Sequence, residues 1–214
     1  MKLRLIMLIL CGICFGQALP ASLQEEHNSA IAKNPPDIEL RIALAPSRNN
    51  RHDDLHLKLT FKSNKSRLYT AELAPGGNTA TIDDFVFQGP GMPTPVHSKD
   101  GPPVGVVCCG SRRIYVGETP VTASAYFRIA LPPRIRDPFA ESAPSLTPVE
   151  PEPGDYSIFV QTRRVMKGWP KSERDRYFTT SDIILTSNNI VHITLLPDGT
   201  VEDAKEPPST HTKK

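Results

Sequence analysis

Hydrophobic residues recur at every second position through much of this chain, and a period of two predicts β-strands. Ile38, Leu40, Ile42 and Leu44 alternate with Glu39, Arg41 and Ala43, the pattern of a strand with one face buried. Leu55, Leu57, Leu59 and Phe61 do the same against His56, Lys58, Thr60 and Lys62. Ser63-Asn64-Lys65-Ser66 supplies a turn, Leu68 to Leu73 a further strand, and Pro75-Gly76-Gly77-Asn78 its stop. Thr81 to Phe87 is a shorter strand. Val104 to Cys109 and Arg112 to Val116 form a pair about Gly110-Ser111. Ala123, Ala125, Phe127, Ile129 and Leu131 alternate again, and Tyr156, Ile158 and Val160 follow directly on Pro153-Gly154. Ile183 to Thr186 and Ile190 to Leu196 close the series, with a kink at Ser187-Asn188-Asn189 and a stop at Pro197-Asp198-Gly199.

Many short alternating strands with turn signals between them predict an all-β, antiparallel β-sandwich with long loops. No segment carries a convincing amphipathic helix. Lys171 to Tyr177 offers one or two helical turns with little apolar surface. The 22 prolines cluster at Pro35-Pro36, from Pro90 to Pro103 and from Pro132 to Pro153. Proline fixes φ and removes a ladder donor, so these runs read as connections. Long loops are expected at 87–103, 132–153 and 163–181. The core then fits one domain over 37–199, preceded by a polar, flexible arm at 19–36 and followed by a charged, disordered tail at 200–214.

The first residues change the charge and the cysteine count. Met1, Lys2 and Arg4 precede an apolar run from Leu5 to Phe15, and Gly16-Gln17-Ala18 puts small residues at −3 and −1 of a signal-peptidase cut. Residues 1–18 therefore read as a secretory signal peptide, too short for a stable membrane span. Cys11 and Cys14 follow Leu10 and Ile13, which do not suit a lipid-attachment site. Losing Lys2 and Arg4 cancels the formal charge of +2. A neutral exported chain has no overall field to gather nucleic acid. The expected location is the periplasm or the secreted medium.

Three segments resemble the immunoglobulin-like sandwich domains common in exported bacterial proteins. Pro153-Gly154-Asp155-Tyr156 is similar to the turn that carries a tyrosine-corner residue into the penultimate strand. The resemblance implies that the Tyr156 hydroxyl bonds back to the main chain and pins the crossover. Ser187-Asn188-Asn189 with Val191-His192-Ile193-Thr194-Leu195 resembles the last strand, and Thr60 to Ser66 the second strand and its turn. The likeness covers most of Asp37 to Asp198 but departs from antibody-type domains. Ile158 stands where a core cysteine would sit, and Trp169, the sole tryptophan, falls in a late loop. Such folds host many activities.

Cys108 and Cys109 are the only cysteines left after signal cleavage. They either face opposite sides of a strand, form a strained vicinal disulfide, or pair with a metal or another chain. Joined to Met92 and His97 they would offer soft ligands for Cu(I). No hydrolase signature (Gly-x-Ser-x-Gly, Ser-x-x-Lys, His-Glu-x-x-His) occurs, and His27, His52, His56, His97, His192 and His211 are scattered. Asp53-Asp54 and Asp83-Asp84 lack the spacing of a calcium loop and read as solvated turn residues. The one basic–aromatic cluster holds Arg163, Arg164, Lys167, Trp169, Lys171, Arg174, Arg176, Tyr177 and Phe178, with Arg134 and Arg136 in another loop. Arg163, Arg164, Trp169, Arg174 and Tyr177 are the candidate binding residues. The sequence thus points to a non-enzymatic binding or accessory module using loops or an edge strand to engage a protein or glycan of the cell envelope. No cofactor is implied. A periplasmic copper-handling protein built on Cys108 and Cys109, or a hydrolase with an unrecognised site, are the alternatives.

Overall fold

The computed structural model describes residues 21–46, 50–74, 82–100, 112–130, 150–169 and 183–204. Its strands are β1 (Ile38–Leu44), β2 (Leu55–Ser63), β3 (Tyr69–Ala74), β4 (Asp83–Gln88), β5 (Val96–His97), β6 (Arg112–Val116), β7 (Val121–Phe127), β8 (Gly154–Thr162), β9 (Val165–Lys167), β10 (Leu185–Thr186), β11 (Val191–Leu195) and β12 (Val201–Asp203). All their pairings are antiparallel. One sheet has the order β1-β2-β7 and a larger one the order β12-β11-β8-β4-β5, with β10 also on β8. A third, small sheet runs β6-β3-β9. The architecture is an all-β sandwich.

The period-two pattern does what it predicts. Leu55, Leu57, Leu59 and Phe61 of β2 are fully buried, while Lys58 and Lys62 between them are exposed. They share one core with Phe85 and Phe87 of β4, Ile158 and Val160 of β8 and Ile193 of β11. Phe127 of β7 stacks on Phe85 at 4.8 Å between centroids and meets Phe87 edge-on at 5.2 Å, the offset geometries that aromatic quadrupoles favour.

The turn into β8 behaves as the tyrosine corner implies. The Tyr156 hydroxyl donates to the Glu152 carbonyl at 2.7 Å and its ring is buried. Gly89 makes room for the ring, since a β-carbon there would lie 2.3 Å from Tyr156 Cε1. Gly154, with φ of 142°, makes room for Pro90, whose Cγ a β-carbon would approach to 2.6 Å. Burial, then the nearby Glu152 carboxylate, pushes the Tyr156 phenol up to about 12.

The kink at 187–189 closes a sheet edge. β10 and β11 pair with successive parts of β8, and Ser187 between them bonds Val160 through both its amide and its hydroxyl. The chain then turns outward to β1. Asn188 Oδ1 accepts from Leu40 N–H at 3.0 Å, while Asn189 accepts from Ile42 N–H at 2.9 Å and donates to its carbonyl at 2.8 Å. Two asparagine side chains thus occupy the outward ladder positions of β1, which blunts an edge that would otherwise template pairing.

Two short strands lie in expected loops, β5 within 87–103 and β9 within 163–181, and two further segments differ from expectation. Ala21–Ile31, expected to be a flexible arm, forms a helix, α1. Leu23, His27 and Ala30 share one buried stripe, and Leu23 packs on Val86, Phe159 and Ile190, on the outer face of the larger sheet. The stripe has only one large apolar residue, so its periodicity is faint in the sequence. Asn34 fastens the helix end, exchanging two 2.8 Å hydrogen bonds with the Thr186 main chain. The second difference is β12, which lies in the expected tail and pairs Val201 with Leu195. Val201 is buried and Glu202 and Asp203 are exposed, so a single apolar residue anchors the strand.

Candidate binding face

Of the residues that sequence reading grouped as basic and aromatic, the described ones, from Arg163 to Trp169, lie on and beside β9 of the small β6-β3-β9 sheet and are of two kinds. Arg164, expected to be an exposed binding residue, is buried at 3% exposure. Its guanidinium donates to both oxygens of Asp83, from Nε at 2.9 and 3.0 Å and from Nη2 at 2.5 Å. Further donations reach the Leu73 and Ser124 carbonyls at 3.2 Å each. Asp83 also accepts from the Thr162 hydroxyl at 2.6 Å. Arg164 therefore ties β4, β3 and β7 together and belongs to the interior. Asp83, read from sequence as a solvated turn residue, is its buried counter-ion. Two charges leave water here only because each satisfies the other.

Trp169 falls on the other side of the division. Gly168, with φ of 71°, turns the chain after β9, and its carbonyl and amide are held by the Thr70 hydroxyl and the Leu68 carbonyl. This turn brings Trp169 over Tyr115 of β6, with centroids 5.0 Å apart and planes tilted by 42°. Trp169 keeps 44% and Tyr115 39% of its surface in solvent, with Leu68 beside them at 37%. Tyr115 was not among the expected site residues. Its signal was an aromatic residue at an outward position of a short basic strand, which a reading of the late loop alone does not reach.

Lys65, Arg67, Arg112, Arg163 and Lys167 are all exposed, and none pairs with a carboxylate among the described residues. Lys65, Arg67 and Lys167 lie in sequence beside the end of the sheet that carries Trp169, whereas Arg112 pairs with Ala74 and Arg163 precedes β9 at the other end. Glu72 is taken by Arg113 at 3.4 Å, which leaves Glu118 as the exposed acid of the neighbouring turn. Arg67 holds φ of 59° without being glycine, an uncommon and costly conformation. Arg174, Tyr177, Cys108 and Cys109 lie outside the described residues.

The other candidates are committed elsewhere. The Met92 side chain lies in the main core. His97, expected to be solvated, sits between two carboxylates, Nδ1 at 2.8 Å from Asp84 and Nε2 at 2.9 Å from Glu26 of α1. Neither residue is free for the copper set. His27 is buried beneath α1 with Nε2 on the Ser187 carbonyl, His52 meets Glu150 at 2.9 Å, His56 stacks on Tyr126 at 4.6 Å, and His192 meets Ser157 at 3.0 Å. Each of these four has its own partner. Among the described residues no group of three His, Cys, Asp or Glu is arranged to hold a metal.

A groove of about 400 Å³ lies where the α1–β1 connection meets β2, lined by Asn34, Asp37, Glu39, Lys62, Asn64 and Asn188. Asn34 and Asn188 already hold main-chain groups there. Tyr69 points its hydroxyl at Asp37 at 3.5 Å, and burial together with that carboxylate raises its pKa. No helix among the described residues is long and apolar enough to cross a membrane. The chain matches no family model, no curated protein and no solved structure.

Proposed function

We propose that this chain is an exported, non-enzymatic binding module of immunoglobulin-like topology that engages an envelope or extracellular partner through the Trp169–Tyr115 face. The observation that carries the reading is the exposed Trp169–Tyr115 pair, with Arg67 in the adjoining turn exposed and without a carboxylate partner among the described residues. Large exposed rings are what binding surfaces concentrate, and Trp, Tyr and Arg dominate their energetics. The topology is supported by two sheet orders. β1-β2-β7 and β4-β8-β11 follow the A-B-E and C-F-G arrangement of immunoglobulin-like sandwiches, and Tyr156 sits at the start of the strand in the F position. Export is supported by the layout of residues 1–18. The rigid scaffold then presents a site on turns, as binding folds commonly do.

The test is retention of ligand on the immobilised exported protein. Wild type and the Tyr115→Ala/Trp169→Ala double variant are exposed to envelope extract and culture medium, and both protein and carbohydrate are eluted and measured. Both side chains lie at the surface, so the melting temperature should hold within a few degrees. Material retained by wild type and lost by the double variant supports the face; equal retention by both overturns it. The intact mass of the same exported protein should correspond to a chain starting at Leu19.

A further inference from the structure

The geometry points to an acidic polysaccharide as the ligand of the Trp169–Tyr115 face, which deepens the binding reading above and rests on it. One sugar ring would lie against the aromatic pair, and its carboxylate or sulfate groups would meet Arg67.

Size is the first reason. Three strands spaced about 4.8 Å apart make a platform roughly 10 Å across and, over the six residues of β3, about 20 Å long, so its roughly 200 Å² is far below the ~800 Å² that a stable protein partner covers on each side. A pyranose ring fits that width. Shape is the second. Trp169 and Tyr115 are tilted by 42° rather than coplanar, so they form a shallow angle with two half-exposed ring faces. A sugar presents an apolar C–H face with a polar rim, which suits aromatic faces bordered by polar groups. Charge is the third. Among the described residues at this end of the sheet and its turns, three exposed cations, Lys65, Arg67 and Lys167, stand against one exposed acid, Glu118. A neutral glycan would leave that excess unused.

Arg67 gives the inference its sharpest edge. It lies in the turn before Leu68, whose carbonyl accepts the Gly168 amide at 2.8 Å. Arg67 and Gly168 thus form the two left-handed positions flanking the aromatic pair. Glycine would take φ of 59° without strain. Arginine stands there instead, exposed and with no carboxylate partner among the described residues, so the backbone strain it adds is not offset by a visible ion pair. Strain of this kind gathers at functional sites.

The full exported protein is titrated with polygalacturonate and dextran sulfate, with unsulfated dextran and poly-glutamate as controls. Trp169 is the only tryptophan, so its emission reads the site directly. The expected result is saturable change with either acidic polysaccharide and none with dextran. Tyr115→Ala should weaken binding about tenfold by loss of ring contact. Arg67→Gly should weaken it about fivefold while leaving the melting temperature unchanged or higher, a split that a purely structural arginine would not show. Trp169→Phe, read by calorimetry, should bind within about threefold of wild type because it keeps a ring. Poly-glutamate binding as tightly as polygalacturonate would overturn the polysaccharide class in favour of an acidic protein. Binding undiminished by Tyr115→Ala would overturn it as ion exchange. No response to any polymer, with Trp169-dependent retention from extract intact, sinks the ligand class alone; loss of that retention as well sinks the face.

Discussion

Replacing Arg164 separates an interior role from a surface one. In Arg164→Met the side-chain volume is roughly kept, but Asp83 loses every charged partner and retains only the Thr162 hydroxyl. The Leu73 and Ser124 carbonyls lose their donors as well. The two side chains are 1% and 2% exposed, so water cannot take over. Removing one partner of a buried pair costs about 3–5 kcal/mol, a large share of the 5–15 kcal/mol that holds an ordinary domain together. Asp83→Leu should cost a similar amount by stranding the guanidinium. The double variant Arg164→Met/Asp83→Leu should recover most of that loss, because neither charge is then left without its counter-ion. Urea unfolding of the four proteins closes a double-mutant cycle with a coupling energy of about 5–8 kcal/mol, the sum of the two singles less the small cost of the double. If Arg164→Met loses less than about 1 kcal/mol, or if the double variant costs the sum of the singles, then Arg164 is not an interior tie.

Alkaline lability should follow Tyr156. Its phenol is held neutral in the fold, up to about 12 against an ordinary value of 10.0, so its contribution is complete below pH 10 and lost as pH rises towards 12. After allowance for solvent screening this amounts to about 1–2 kcal/mol. Urea melts from pH 8 to 12 should therefore fall less steeply in Tyr156→Phe, which starts about 1 kcal/mol lower for want of the Glu152 hydrogen bond; an unchanged slope would refute this. Glu26→Gln should loosen α1 from His97, speeding amide exchange across 21–31 several-fold while β4 and β8 stay protected. Uniform acceleration of all three would mean that α1 does not open as a separate unit. Asn188→Ala/Asn189→Ala should open the β1 edge, cost about 1–3 kcal/mol and promote self-association seen by light scattering. A monomer of unchanged stability would show that the asparagines do not guard the edge.

Most of the sandwich was legible because its cause is local. Burial on one side of a strand writes itself into alternate positions, and the core leucines of β2 could be named from sequence alone. α1 was not legible, since Leu23, His27 and Ala30 make a stripe only when Val86 and Phe159 lie beneath them. β5, β9 and β12 are two or three residues long, shorter than a periodicity can register. The site divides in the same way. Trp169 was legible as an aromatic among cations, but its partner Tyr115 lies more than fifty positions away and meets it only across β3.

Arg163 and Arg164 show why composition could not separate the two kinds of cation. They are adjacent, of one residue type and at the end of one strand, yet one is exposed and the other is 3% exposed. The difference lies in strand geometry and in a carboxylate about eighty residues away, since successive side chains point to opposite faces and Asp83 waits on one of them. A buried guanidinium needs its full set of acceptors, and Arg164 has them in Asp83, Leu73 and Ser124. An exposed one costs almost nothing to leave unpaired, so the fold places no demand on Arg163, Lys167 or Arg67. For Arg67 the fold would even favour glycine. Cations that contribute little to stability, and rings that solvent only half covers, are the part of this molecule that folding alone does not explain. Binding is the explanation that the Arg67→Gly experiment puts at risk, because it removes a side chain that no carboxylate among the described residues holds.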